Sequence, residues 1–332
     1  MNSMKRRGFT VPGERETKIG LGLAALGRPG YINLGHDADL GADYRPEAMQ
    51  ERAHRVLDEA WKSGVRYFDC ARSYGRSEMF LGEWLRSRSV DGAVVGSKWG
   101  YRYTAEWQVE ATAHEIKEHS LSMLERQLDE TRTTFGDALA LYQIHSATQE
   151  SGVMENAEVL SRLDALRETG CSIGVSVSGP KQSELIRQAA SLEVNGRPLF
   201  DSVQATWNLL ETSAGDALVE AHTMGLWVIV KEGLANGRLT TRNVDPRFEL
   251  SKAVMTEIAH PLGAGIDAVA LAAVLAQPWV GTVLSGAAGG EQLHSNLKAR
   301  DLFLGPDELS RLRALTESPE TYWQRRSQLA WN

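Results

Sequence analysis

The chain of 332 residues is poor in cysteine, in long apolar runs and in surplus positive charge, and each shortage removes a class of protein. Its two cysteines, Cys70 and Cys171, are too few and too far apart for a disulfide framework, which suits a reducing cytosol. No run approaches the roughly 18 apolar residues that a transmembrane helix needs. Lys5, Arg6 and Arg7 imitate the basic start of a signal peptide, but Glu14, Arg15, Glu16 and Lys18 stand before the nearest apolar run, Ile19 to Leu26. A cytoplasmic protein without a membrane partner is expected. The net charge of -7 argues against a nucleic-acid surface. Ser/Pro-rich linkers and breaks in composition are missing too. The 42% hydrophobic content therefore reads as one core, and residues 1–332 as a single domain.

Two motifs fall short of what they imitate. Gly20, Gly22 and Gly27 resemble a dinucleotide fingerprint, but the last spacing is wrong and loop rather than helix follows. His114 and His119 resemble a zinc helix with one residue too many. Five residues apart on a helix, they would stand about 140° from each other, badly placed to share an ion. No metal is expected.

What the chain does have is alternation. After a possible hairpin at residues 8–18, turning at Pro12-Gly13, short apolar runs are expected as strands at Lys18–Leu23, at Tyr67–Asp69, up to Lys98 and up to His145. Others follow at Ser172–Val177, Ser202–Trp207, Leu226–Val230 and Gly281–Ser285. Helical patterns fall between them. One carries Ala48, Ala53, Val56, Leu57, Ala60 and Trp61 on one face. The others are expected near Glu78–Ser87, Val109–Asp129, Asn156–Glu168, Pro180 onward, Gly215–Met224, Asp267–Ala276 and Glu291–Ala299. Glycine-rich loop runs from strand one to about Asp43. A long connection is expected at Gly233–His260, and an extra terminal helix at 307–328. Eight strand–helix units imply a parallel sheet closed into a (β/α)8 TIM barrel, whose function sits on the loops after the strands.

Three consecutive strands end in ionisable side chains: Asp69 with Tyr74, then Lys98, then His145. A carboxylate at a dry strand end needs a cation, or it must give up its charge, and Lys98 stands in the equivalent place on the next run. Tyrosine ordinarily has a pKa of about 10, and a neighbouring ammonium is expected to lower it. Histidine can donate a hydrogen bond to a substrate carbonyl and orient it. Such a group would pass a proton to a carbonyl, and hydride would have to come from a nicotinamide or similar cofactor. Plainer readings exist for each residue. Asp69 and Lys98 also fit a structural ion pair, His145 a core histidine, Cys70 a small buried residue, and Tyr101, Tyr103 and Trp107 ordinary loop packing. Tyr322, Trp323 and Trp331 fit packing on the barrel.

The order Asp69, Tyr74-Gly75, Ser97-Lys98-Trp99-Gly100 and Gln143-Ile144-His145, followed by Ile173-Gly174-Val175-Ser176, Gln204 with Trp207-Asn208, and Gly286-Ala287 with Glu291-Gln292-Leu293 and Asn296, resembles the aldo-keto reductase superfamily over nearly the whole chain. That resemblance implies a barrel opened by an N-terminal hairpin and a carbonyl–alcohol oxidoreductase using NADP(H) or NAD(H) on a small-molecule aldehyde, ketone or aldose. It implies Tyr74 as general acid/base, Lys98 tuning it, Asp69 paired with Lys98, and His145 orienting the carbonyl beside Trp99 and Tyr101. It implies Ser176 and Gln204 on the nicotinamide carboxamide and Trp207 stacked on its ring. Gly22, Asp69, Glu232, Gly233, Leu234, Asn236, Arg238, Gly286, Ala287, Gln292 and Asn296 complete the implied cofactor contacts.

The chain departs from the family's pattern in three places. Val177 stands where Asn is common. Lys231-Glu232-Gly233-Leu234 replaces Tyr-Ser-Pro-Leu. The segment Gly286–Gln292, where relatives that choose NADPH usually place Lys or Arg, has no cation, and Glu291 would repel a 2′-phosphate; Lys298 and Arg300 lie just beyond. NAD(H) use is therefore expected. An oxidative, NAD-dependent sugar dehydrogenase and a non-catalytic cofactor sensor, like the barrel subunits of potassium channels, are the alternatives.

Overall fold

The computed structural model describes residues 18–332, and the hairpin expected at 8–18 falls outside all but the last of them. Eight parallel strands close into a barrel: β1 (Ile19–Gly22), β2 (Tyr67–Asp69), β3 (Val94–Trp99), β4 (Leu139–Ala147), β5 (Ser172–Val177), β6 (Ser202–Thr206), β7 (Trp227–Lys231) and β8 (Thr282–Ser285). Each strand pairs with its sequence neighbours and β1 pairs with β8, Leu21 lying opposite Ser285. The strands are apolar on both faces because helices cover the outside and side chains fill the inside.

The lower interior is filled by Tyr67, Leu141, Trp227 and Ile229. The Tyr67 and Trp227 rings meet edge to face at 4.8 Å. Rings this large fit only because glycine faces them. A Cβ on Gly96 would come 2.3 Å from the Tyr67 oxygen, and one on Gly281 2.2 Å from the Trp227 ring. Gly96 and Gly281 are therefore packing requirements, and the cylinder is solid beneath the site.

The outer layer is the helix that follows each strand: α1 (Pro46–Lys62), α2 (Ser77–Arg88), α3 (Leu121–Phe135), α4 (Ala157–Arg167), α5 (Gln182–Ser191), α6 (Gly215–Thr223), α7 (Glu249–Ala259) with α8 (Ile266–Leu275), and α9 (Gly290–Leu297). In α1, Met49, Ala53, Val56, Leu57 and Ala60 are buried at i, i+3, i+4 spacing, and Pro46 opens the helix where its missing N–H costs nothing. No single helix among the described residues is long and apolar enough to cross a membrane.

Four expectations need correction. The helix expected at Val109–Asp129 begins at Leu121, because Ser120 caps it by accepting from the Met123 amide at 3.2 Å. The residues before it instead form a hairpin, Tyr101–Tyr103 against Glu115–Lys117, so His114 and His119 share no helix. The connection Gly233–His260 contains α7. The terminal helix is two, α10 (Pro306–Arg313) and α11 (Pro319–Ser327), divided where Ser318 caps a new start with Pro319 at its first position. The glycine-rich loop after β1 also folds one helical turn, His36–Leu40, between left-handed glycines at 35 and 41.

His36 is fully buried, and burial, partly offset by the Arg28 backbone, pushes its pKa down to about 4. The unfolded chain then binds a proton near pH 6.5 that the folded chain refuses, so stability is complete above that pH and falls as pH drops toward 4. Urea unfolding at pH 7 and pH 5 should show His36→Phe relieved of about 2 kcal/mol of the acid loss seen in the parent.

Candidate active site

The carboxyl ends of the strands open into a cavity of 540 Å³, whose lining includes Tyr74 and His145 as well as Glu291, Gln292, Ser295 and Asn296. That is within the range of roughly 300–1,000 Å³ typical of small-molecule sites. Parallel register places the site: Gly22 lies opposite Asp69, Asp69 opposite Gly96, and Lys98 opposite Gln143.

Asp69 and Lys98 are both buried and form an ion pair. The ammonium also donates to the Cys70 carbonyl at 3.0 Å. The carboxylate accepts further from the Tyr67 hydroxyl at 2.9 Å, Gln204 Nε2 at 3.0 Å and Gln143 Nε2 at 3.3 Å. Above this pair lies Tyr74, its ring centroid 4.9 Å from the Lys98 nitrogen and its hydroxyl 3.2 Å from His145 Nε2. The Tyr101 ring stands 4.9 Å from that of His145. The structure brings Asp69, Tyr74, Lys98 and His145 into one cluster.

Protonation differs from the sequence-based expectation. The Tyr74 phenol is held well above its ordinary pKa, first by burial and then by the Asp69 and Glu115 carboxylates, with Arg28 opposing. The Lys98 ammonium is engaged by Asp69 and the Cys70 carbonyl, so the phenol stays protonated rather than becoming acidic. The His145 imidazole is pushed well below its ordinary value, first by burial and then by Lys98, Lys231 and Arg28. It is neutral at pH 7.

Of the residues expected to contact a cofactor, Gly22, Asp69, Gln204, Glu232, Gly233, Leu234, Asn236, Gly286, Ala287, Gln292 and Asn296 line the cavity. Ser176, Trp207 and Arg238 do not. Ser176 is buried, with its hydroxyl accepting from the Ser146 amide at 3.4 Å. Trp207 packs edge-on against Trp279 at 5.5 Å, and Arg238 pairs with Glu317 at 2.5 Å. Trp99 is fully buried beside His119. Lys298 and Arg300 lie outside the lining, Arg300 donating to the Ser63 carbonyl at 2.8 Å. The Glu59 carboxylate lies where a Gly290 side chain would stand, at the amino end of α9, and one of its oxygens is buried without a partner among the described residues. No group of three or more candidate metal ligands forms among the described residues.

The mouth also holds residues that sequence reasoning did not select: Arg28, Tyr31, Glu115, Lys231, Arg326 and Trp331. Lys231 ends a strand as Asp69 does, and Lys98 and His145 lie within two residues of the ends of theirs, so that pattern could have found it. Glu232, unexpected near a diphosphate, is neutralised by Arg326, whose Nε lies 2.9 Å from both carboxylate oxygens. Burial alone would raise the Glu232 pKa, but Arg326 and Lys231 outweigh it and hold the value to about 2.

A closed parallel barrel with titratable groups at the carboxyl ends of its strands defines a barrel of the enzyme type. The Aldo/keto reductase family model matches residues 18–317, and the chain belongs to that family. Its members are oxidoreductases that use nicotinamide cofactors on small-molecule carbonyls or alcohols. The chain is 26% identical over 275 residues to the uncharacterized oxidoreductase YqkF of Bacillus subtilis, covering 75% of this chain and 82% of that one. It is also 26% identical over 318 residues to the aldo-keto reductase ausK of Emericella nidulans, covering 86% and 77%. In fold it is similar to the aldo-keto reductase AKR11C1 from Bacillus halodurans, at a TM-score of 0.67, 20% identity and coverage of 91% and 92%.

Removing one member of the buried Asp69–Lys98 pair strands the other's charge, at a cost of about 3–5 kcal/mol. Urea titration of Asp69→Asn should show such a loss, and Asp69→Asn with Lys98→Met should recover part of it.

Proposed function

We propose that the chain is an NAD(P)(H)-dependent oxidoreductase that interconverts an aldehyde, ketone or aldose with its alcohol, with Tyr74 as general acid/base. The observation that carries this reading is the Tyr74 hydroxyl, hydrogen-bonded to a neutral His145 above the Lys98–Asp69 pair at the base of the cavity. A phenol protonated throughout neutral pH suits the donation of a proton to a carbonyl oxygen as it is reduced. A neutral imidazole can hold that oxygen by a hydrogen bond without competing for the proton. Asp69 fixes Lys98, and Lys98 sets the potential beneath the phenol ring.

The cavity fits a nicotinamide dinucleotide in its chemistry. Asn236 Oδ1, on the lining, is a buried acceptor without a partner among the described residues, and a Cβ on Gly286 would meet only Asn33 Nδ2, at 3.9 Å. Gly22 and Gln204 would hold the nicotinamide end, Glu232–Leu234 and Asn236 the middle, and Gly286, Ala287, Gln292 and Asn296 the adenosine end. When bound, the cofactor supplies or accepts the hydride.

NAD(H) is the preferred form in this reading. A 2′-phosphate requires charge-assisted donors, whereas the adenosine end offers the carboxylates of Asp267, Glu291 and the nearby Glu59. The same acidic end favours, as a second reading, an NAD-dependent aldose dehydrogenase working oxidatively.

A panel of aldehydes, ketones and aldoses, assayed in both directions with both cofactors, tests the proposal. Tyr74→Phe should lower kcat/KM by about 10²–10⁴-fold while cofactor affinity, read by fluorescence, stays close to the parent's. A fully active Tyr74→Phe enzyme would overturn the role of the phenol. The kcat/KM for NAD(H) should exceed that for NADP(H), and the reverse order would remove the argument from the acidic end.

A further inference from the structure

Among the described residues four cations line the cavity, and three are matched by carboxylates. Arg28 donates to Glu115 at 3.0 Å, Arg242 grips Asp39 through both terminal nitrogens, and Arg326 grips Glu232. Lys231 is different. Its one carboxylate within 4 Å among the described residues is Glu232, at 3.9 Å, which already accepts from Arg326, from Thr206 at 3.3 Å and from Tyr322 at 3.5 Å. Among the described residues the Lys231 ammonium donates only to neutral hydroxyls, Thr206 Oγ1 at 2.9 Å and Ser178 Oγ at 3.2 Å, leaving a third N–H.

Its place in the cavity is also defined. Thr206 is its register partner on β6, and Ser178 in turn donates to Ser146 at 3.3 Å, the residue after His145. Lys231 is near enough to His145 to depress the imidazole. It therefore stands near His145 and one position beyond the Val230–Val283 register pair, between that histidine and the end of β8. Tying β6 to β7 needs a donor but no charge, and burying an ammonium without a carboxylate of its own is costly. A desolvated cation facing a cavity recovers that cost when an anion enters and accepts its free N–H.

We propose that Lys231 determines specificity by receiving the carboxylate of an anionic carbonyl substrate, so that the favoured substrates are oxo acids and aldehyde acids. The inference rests on the carbonyl–alcohol chemistry proposed above. A cofactor diphosphate is the other anion able to reach this cavity, and the position beside Ser146 and His145 favours the substrate.

The test uses the purified full chain and matched aldehydes, glyoxylate against glycolaldehyde and a carboxybenzaldehyde against the corresponding methylbenzaldehyde. Lys231→Met should cut the kcat/KM preference for the acid over its neutral partner by about tenfold or more, mainly through KM, and Lys231→Arg should restore part of it. Burial lowers the Lys231 pKa to about 8, partly offset by Glu232, with Arg326 and Lys98 adding to the fall and Asp69 opposing it. The preference for acids should accordingly decline as pH rises through 8 in the parent and stay flat in Lys231→Met. A ratio unmoved by Lys231→Met overturns the assignment, as does a loss confined to cofactor affinity measured by fluorescence titration. An enzyme that turns over neither partner with either cofactor overturns the carbonyl chemistry and this inference together. One that turns over both with an unmoved ratio overturns only the role of Lys231.

Discussion

The ion pair between Lys98 and Asp69 is the interaction on which the rest of the site depends. Two charges sit in a barrel interior that excludes water, and neither could remain there alone. Further hydrogen bonds tie the pair to the Cys70 carbonyl, the Tyr67 hydroxyl and the amides of Gln143 and Gln204. These partners come from β2, β4 and β6, so the pair is held by strands on several sides of the cylinder. The plug of Tyr67 and Trp227 beneath it leaves no route for relaxation downward.

Electrostatics above the pair follow from this geometry. With the ammonium committed to Asp69, the phenol of Tyr74 responds mainly to burial and to the surrounding carboxylates, and its proton is retained. His145 meets several cations and little water, so it is neutral. An acid at Tyr74 and a neutral donor or acceptor at His145 thus arise from one arrangement of charge. Neither side chain requires a special conformation to achieve it.

Much of this was legible in the sequence because it depends on local order. Apolar runs ending in Asp69, Lys98 and His145 encode strand ends, and alternation with helical patterns encodes the parallel barrel. Segments whose structure depends on distant partners were not legible. The hairpin containing Glu115–Lys117 was read as helix because its polar residues carry no periodicity that excludes one. The direction of the Tyr74 shift was misread because sequence order shows which charges are present but not which of them are already engaged. Trp207 was expected at the cofactor ring, yet its indole packs on Trp279, a contact between residues 72 positions apart. Arg326 could not be matched to Glu232 by spacing, since 94 residues separate them.

The wall of the cavity is assembled from segments remote in sequence. His114 stacks on Trp331 with centroids 3.8 Å apart, while Asn332 pairs through its backbone with Tyr31 and holds the Asn33 carbonyl through its amide. Loop, hairpin and tail therefore form a single joint, each shaped against the other two. A chimera that borrows one of these segments from a relative would import one face of the joint without its counterparts. Reshaping the pocket by recombination thus requires exchanging all three together.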